Sequence, residues 1–470
     1  MGTRCVCIIY IHMNVLEIIL PIVISIYLLF RYNNNNNSNN QTFSPFLSSS
    51  FSSSSFVETK NNNMIRKKIL IIGTGISGAT TASLLKAASK QYYFDITIFD
   101  KGRGAGGRMT TSRSNKDERM HLDLGAQYIT VGAGDGNDSP ANSPPSYESL
   151  LSEKVIAPFG DMVQGARDTH NEQTHYISSN GLSSIVKNLL KGFEDVHYEC
   201  KVSGISKVEN EDKTAFQWKV DHNKMDNNNN DNNNNNNNNF DAVVLTIPTH
   251  QILELNGDFQ NILSSTSIEN NNKNSNSNSD SISDKLKQVN YSSRWALGLY
   301  YPSEAWNAVE SVPWVGRYTQ KEDDAIVWVS LESKKRGSKN FIEEDKNNGV
   351  GPVVVVHGGV PWSLEHFEDA REDVMEAMKT HMEKFVPGIN KYTPIDSKLI
   401  RWKYSQVRPG TTVGRNKEEA AILIQNEDYP PLILAGDGIG GSNFENCVRS
   451  GMVASNLVRS LFENDSSSKI

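Results

Sequence analysis

Three groups of residues in this 470-residue chain have the types and spacing to hold a large phosphate-bearing ligand. The first is Gly73-Thr74-Gly75-Ile76-Ser77-Gly78. Gly73 permits a tight turn, Gly75 lets a diphosphate approach the backbone, and Gly78 lets the following helix pack on the preceding strand. Ser77 stands at the diphosphate turn itself. The second group begins with Asp100, 22 residues beyond Gly78, where a carboxylate accepts hydrogen bonds from ribose hydroxyls and repels a 2′-phosphate. Directly after it comes Gly102-Arg103-Gly104-Ala105-Gly106-Gly107-Arg108-Met109. A glycine arm of that kind can wrap the far side of a diphosphate and neutralise it through the planar guanidinium of Arg108, which favours a flavin over a nicotinamide dinucleotide. The third group is remote: Gly436-Asp437-Gly438 after the apolar run Leu432–Ala435, with a small-residue helix from Asn443. There Asp437 is placed for a ribityl chain, and the helix start near Asn443 for negative charge on a reduced flavin.

These groups need a strand–helix–strand unit behind them. The sequence provides one: an apolar strand Lys68–Ile72, a helix from Ala79 to Ala88, and a strand Phe94–Phe99. The chain carries 47 Lys+Arg against 54 Asp+Glu, a net charge of −7, and is 37% hydrophobic. That argues against a polytopic membrane protein and against a basic nucleic-acid binder. Asn/Ser-rich tracts at 32–63, 223–239 and 264–285 lack the apolar area to offset ordering entropy and read as a linker and two disordered insertions. The second tract separates the short runs Phe216–Val220 and Phe240–Ile247 and reads as an enlarged hairpin loop. What remains exceeds the roughly 250–300 residues that one core serves, so two domains are expected. Residues 1–31 form an apolar leader, read as an anchor, a cleaved signal or a non-inserting start ahead of Met64. A membrane contact there is one expectation, a cytosolic or cytosol-facing location the favoured one, and a secretory route the alternative. Four scattered cysteines and the lack of a His/Cys cluster give neither a disulfide framework nor a metal site.

The segments Asp123-Leu124-Gly125-Ala126-Gln127-Tyr128-Ile129-Thr130, Gly106–Thr111, Tyr291–Leu299, Val312–Gly316, Trp402–Val407 and Gly436–Asn446 occur in an order that resembles the renalase family. The resemblance runs from about Ile65 to Phe462 and departs in the leader and the Asn-rich insertions. It implies an α/β fold with a discontinuous, Rossmann-like FAD-binding domain (65–130, 177–247 and 430–464). A second, α+β substrate domain (147–176 and 248–429) would be built on an antiparallel sheet. It implies non-covalent FAD, with Ser77, Arg108, Gln127 and Tyr128 on family contact positions, and no catalytic protein residue. The implied activity is oxidation of NAD(P)H isomers misreduced at the 2- or 6-position to NAD(P)+, by hydride transfer to FAD, with O2 reduced to H2O2.

Candidates for the substrate side are Arg294, Trp314, His357 and Trp362. Arg294 lies in an alternating strand and is either paired structurally or faces the substrate diphosphate. Trp314 either walls a ring pocket or fills a core. His357, at the end of Val353–Val356, reads more readily as a satisfied strand-end histidine than as a catalytic group, and Trp362 is open in the same way. The stretch Glu365–Lys384 reads as a solvated helix with Val374, Met378 and Met382 as its core stripe. An FAD-dependent monoamine oxidase is one alternative, although no cysteine lies between Trp402 and Gly436 to link a flavin. A non-catalytic binding protein on the same fold is another.

Overall fold

The computed structural model describes residues 66–467, except 93, 132–146, 160–162, 166–173, 211, 224–238, 268–279, 338, 415 and 417. The leader, the linker and most of both Asn-rich insertions lie outside the described residues. Among the described residues, no helix is long and apolar enough to cross a membrane.

Lys67–Ile72 runs through the middle of a six-stranded sheet ordered Ile422–Asn426, Tyr429–Leu434, Ala242–Leu245, Lys67–Ile72, Phe94–Phe99, Val196–His197. All neighbours are parallel except the hairpin Ile422–Asn426/Tyr429–Leu434. A parallel strand covered on both faces must be apolar throughout, and successive residues of the opening strand go to opposite cores. Ile69 and Ile71 join the cluster on the helix side with Ala79, Ala82 and Leu85. Leu70 and Ile72 join the other, with Trp218, Val220 and Phe259. Each fully buried side chain of this size contributes about 1.5–3 kcal/mol.

On the helix side, Ile76–Tyr92 packs against the carboxy-terminal helix Phe444–Ser467. Their approach is close because the contact residues are small. A Cβ on Gly451 would stand 2.5 Å from the Ser77 carbonyl oxygen, and Thr81 Oγ1 donates to the carbonyls of Ser77 (2.9 Å) and Gly451 (3.1 Å).

The second six-stranded sheet is ordered Asp396–Val407, Tyr291–Tyr300, Val353–Gly358, Ile326–Leu331, Gly316–Tyr318, Val163–Gln164. It is antiparallel apart from its last pair. One face is covered by the helix Arg371–Met382, whose Val374, Met378 and Met382 are buried as the stripe predicts. Met120, Leu122 and Leu124 cover the other. The mixed α/β class with a Rossmann-like unit and an antiparallel second sheet is therefore present.

Several boundaries differ from the sequence reading. Strand Ile422–Asn426 already belongs to the first sheet, ahead of the expected start at 430. The segments 248–267 and 280–289 pack with the first sheet, since Ile252, Phe259, Ile262, Ile282 and Leu286 complete the cluster around Leu70. The tract at 264–285 is helical at both ends, in Phe259–Ser265 and in Ile282–Gln288, where the Ser281 hydroxyl accepts from the Asp284 N–H. A few apolar residues and a cap suffice to order the ends of a polar tract. The hairpin around 223–239 forms, with Trp218 opposite Phe240, but its return run divides: Asn239–Phe240 closes the hairpin and Ala242–Leu245 enters the parallel sheet.

Candidate functional site

A cleft of about 2180 Å³ lies between the two sheets, well above the roughly 300–1,000 Å³ of a drug-sized pocket. Its floor at one end is the glycine turn. Gly75 faces open space, with nothing within 4 Å of a Cβ placed there, whereas a Cβ on Gly78 would stand 2.0 Å from the Gly73 carbonyl oxygen. Gly75 thus leaves room for a ligand and Gly78 for the chain itself. Ser77, buried, lines the cleft at the first turn of the 17-residue helix Ile76–Tyr92, whose free N–H groups and positive end favour an anion. Asp100 is at the end of its strand and lines the cleft, but part of its hydrogen-bonding capacity is used internally. Oδ2 accepts from Thr74 N and Oγ1, both at 2.6 Å, and Oδ1 accepts from Gly102 N at 2.6 Å. Asp100 therefore ties the glycine arm to the glycine turn, with lone pairs left for a ribose hydroxyl.

The arm brings Arg108 across the cleft to the terminal segment. Arg108 Nη1 is 2.5 Å from Asp437 Oδ2, and Asp437 Oδ2 also accepts from Ser442 Oγ at 2.6 Å. This differs from the expectation of Arg108 on the diphosphate's far side. The guanidinium is already neutralised by the carboxylate expected on the ribityl chain, so the two residues form one latch between the arm and the carboxy-terminal strand–helix pair. Burial works against both charges. The mutual attraction outweighs it, so that the Arg108 pKa is raised and the Asp437 carboxyl held below its usual range. Asp437 Oδ1 is buried and has no hydrogen-bond partner among the described residues. A buried carboxylate oxygen without a donor is an acceptor prepared for a ligand hydroxyl. Asn443 caps the terminal helix, its Oδ1 accepting from Asn446 N at 2.7 Å, and Gly436 is held in a left-handed conformation with φ 103°. The open turn at Gly75, the orphan oxygen of Asp437 and the helix starts at Ile76 and Phe444 are the donor and acceptor set that FAD requires, and the residues present fit it.

The far wall carries Gln127, Tyr128, Arg294 and His357. Gln127 lines the cleft, yet its polar atoms serve the protein: Nε2 donates to the Asp123 carbonyl (2.5 Å) and Oε1 accepts from Trp328 Nε1 (3.1 Å) and Ser330 Oγ (2.9 Å). It braces the turn against the second sheet and leaves little polar capacity for a flavin. Tyr128 Oη is 2.5 Å from Tyr318 Oη, and the Tyr128 ring adjoins those of His175 and Trp328. Burial first, then the neighbouring phenol, raises the Tyr128 pKa, so it stays a neutral phenol. Arg294 is half-buried and donates from Nη1 to the Gly358 carbonyl at 3.3 Å. Among the described residues no carboxylate pairs with it. His357 lies beside Gln127, its pKa lowered to about 4 by burial and then by Arg294, and is neutral at neutral pH.

Two candidates lie elsewhere. Trp314 is 2% exposed and fills the core beneath the second sheet with Trp295 and Trp306. Trp362 packs on that same core at 4.5 Å from the His366 ring and does not line the cleft. Both indoles found apolar neighbours on the sheet face away from the cleft.

Sequence reasoning missed Tyr318, Trp328 and Ser442. It also missed a buried charge network behind Gln127. Glu332 Oε1 meets Lys335 Nζ at 2.6 Å, its Oε2 meets Arg336 Nη2 at 2.8 Å, and Arg336 also pairs with Asp123. Lys335 Nζ donates to the Gln127 carbonyl at 3.1 Å. Burial pushes the Glu332 carboxyl up, but the two cations more than offset it and hold its pKa at about 2. The Glu-x-x-Lys-Arg spacing at 332–336 was the available signal, since i+3 and i+4 share a helix face.

Residues 71–139 match an NAD(P)-binding Rossmann-like domain, and residues 158–459 match the flavin containing amine oxidoreductases. Mouse (Mus musculus) renalase is 30% identical over 387 residues, covering 82% of this chain and 96% of that protein. A 69-residue segment, 14% of this chain and 10% of the other, is 42% identical to an L-glutamate oxidase precursor of Streptomyces diastatochromogenes. Among solved structures, a mutant putrescine oxidase superposes with a TM-score of 0.51 at 10% identity, over 84% of this chain and 99% of that one, a likeness of fold alone. With the cradle, the latch and these matches together, the chain belongs to the flavin-containing amine oxidoreductases as a homologue of renalase, and its cofactor is FAD.

Proposed function

We propose that the protein oxidises dihydronicotinamide dinucleotides misreduced at the 2- or 6-position to NAD(P)+, with O2 reduced to H2O2 and FAD held without a covalent bond. The observation that carries this reading is Arg294: a half-buried guanidinium facing the cleft beside Tyr318 and Trp328, with no carboxylate partner among the described residues. A cation in that position favours an anionic substrate over an amine, which would be repelled. FAD, when bound, supplies the two-electron acceptor.

The chain's residues would do the positioning. The glycine turn and the first helix hold the cofactor diphosphate, Asp100 the adenosine ribose, and Asp437 Oδ1 a ribityl hydroxyl. Tyr128, Tyr318 and Trp328 wall the space in which the substrate ring lies, and Arg294 donates its free N–H groups to substrate phosphate or carboxamide oxygens. Aromatisation of the ring needs no strong protein base, and His357 and Tyr128 are both held in their neutral forms facing it. Mixing the FAD-loaded protein anaerobically with each dihydropyridine isomer tests this. Rapid flavin bleaching by the 2- or 6-dihydro forms supports the reading. Bleaching by aryl-alkyl amines alone assigns the protein to the amine oxidases in activity as well as fold.

A further inference from the structure

The cleft carries far more positive charge than its cofactor can use. Among the described residues, ten Lys and Arg but only three Asp and Glu line it, in a chain whose net charge is −7. A single diphosphate does not balance that excess. Some of the cations are already engaged. Arg108 is latched to Asp437, Arg401 turns to Glu368 at 3.2 Å, and Lys101 lies by Asp100 and Glu254.

Besides Arg294, those that are not include a group of three: Arg103, Arg113 and Lys398. None pairs with a carboxylate among the described residues, yet the fold brings them to one end of the cleft. Ser114 Oγ and Asn115 N donate to Asp396 Oδ2 at 3.0 and 2.8 Å, pinning the segment after Arg113 to the strand that carries Lys398. Arg103 reaches the same place from the glycine arm. The Lys398 pKa is lowered, first by burial and then by the Arg103 charge, which is the signature of cations held together. Asp396 partly offsets this at Lys398, and is itself held in place by the Ser114 hydroxyl, the Asn115 N–H and, at 2.8 Å, the Ser397 N–H. Lys398 is four residues along the edge strand from Trp402, which stands opposite Arg294. That is about 13 Å at 3.3 Å per residue, a span for an elongated ligand and not for a lone ring.

We infer that Arg103, Arg113 and Lys398 form an anion subsite that takes a terminal phosphate of the dinucleotide substrate, the 2′-phosphate of its adenylate end. The inference rests on the proposed dinucleotide substrate and deepens it: the protein prefers phosphorylated dinucleotides. Asp100 excludes a 2′-phosphate from the cofactor's adenosine position, and this second position is where one is accepted.

The test is calorimetric titration of the FAD-loaded protein with 2′,5′-ADP and with 5′-AMP. The wild type is expected to bind the first more tightly by about tenfold or more, with Lys398→Gln and Arg103→Gln each removing roughly threefold to tenfold of that preference. Lys398→Arg should keep it and Lys398→Glu abolish it. Absorbance near ~450 nm reports FAD content and separates a subsite defect from loss of the cofactor. Equal affinity for the two probes, or no binding of either, overturns the inference, as does a preference that survives Lys398→Glu. A 2′,5′-ADP preference in a protein that oxidises no dihydronicotinamide isomer would leave the subsite standing and remove the proposed reaction.

Discussion

Replacing Arg108 by Ala isolates the latch between the glycine arm and the terminal segment. Asp437 is 3% exposed and, among the described residues, would keep Ser442 at 2.6 Å as its side-chain donor, with none at Oδ1. Stripping one partner from a fully buried ion pair costs about 3–5 kcal/mol. The Arg108 side chain is 30% exposed, so water partly screens the pair, and about 2–3 kcal/mol is the expected loss. At roughly 2 °C per kcal/mol for a chain of this size, apo-protein should melt about 4–6 °C lower. Adding Asp437→Asn to Arg108→Ala removes the orphaned charge and should recover about half of that loss, a coupling that two independent effects would not show. Scanning fluorimetry of the four proteins completes the cycle. The sign with pH follows from the depressed carboxyl: the contribution of the pair is present above about pH 4 and disappears as pH falls through the lowered value. The reasoning is refuted if Arg108→Ala leaves the midpoint within about 1 °C of wild type, or if the double variant is less stable than the single by the full cost of Asp437→Asn alone.

Gly75→Ala should fold with a near-normal midpoint but lose most FAD absorbance, because its methyl enters the cleft, whereas Gly78→Ala should destabilise the fold itself against the Gly73 carbonyl. Glu332→Gln leaves Lys335 and Arg336 buried with Asp123 as the counter-charge remaining among the described residues, so a loss of about 3–5 kcal/mol, read as soluble yield and denaturant midpoint, is expected. His357 is neutral from pH 5 to 8, so the pH profile of kcat/KM should show no inflection near 6.5 that His357→Gln removes. Its stabilising effect should be complete above about pH 6.5 and fade as pH falls toward 4. Arg294→Gln should raise KM for the dihydronicotinamide isomers by roughly tenfold with FAD content kept, and an unchanged KM would remove Arg294 from the substrate's path.

The parts of the site that could be read from sequence are those whose chemistry is local. The turn Gly73–Gly78, its helix and Asp100 lie within 28 residues and are constrained by backbone geometry that only certain residue types satisfy. Arg108 and Asp437 were each singled out, but their pairing spans 329 residues and depends on how the last strand enters the sheet. Trp314 and Trp362 show the converse limit. Trp314, ahead of the strand Gly316–Tyr318, and Trp362, in the helix Val360–Glu365, have no alternation to place them, and the position of the helix Arg371–Met382 decides which face is core. Tyr318 and Trp328 were passed over for the same reason: nothing local distinguishes an aromatic side chain facing a cleft from one facing a core. The strand Ile422–Asn426 escaped because a hairpin edge carries no signal of the sheet it joins.

The sheet that holds the glycine turn is completed by strands at the opposite end of the polypeptide, and its first helix packs on the last. Translation at 5–20 residues per second therefore leaves an interval of some tens of seconds between emergence of Tyr92 and that of Phe444. During that interval Ala79, Ala82 and Leu85 await Val448, Ala454 and Val458, which pack in the same cluster. Nascent chains should thus emerge colourless and sticky, captured by holdase chaperones, and a transcript terminated before codon 437 should yield a product that neither acquires its yellow colour nor escapes proteolysis.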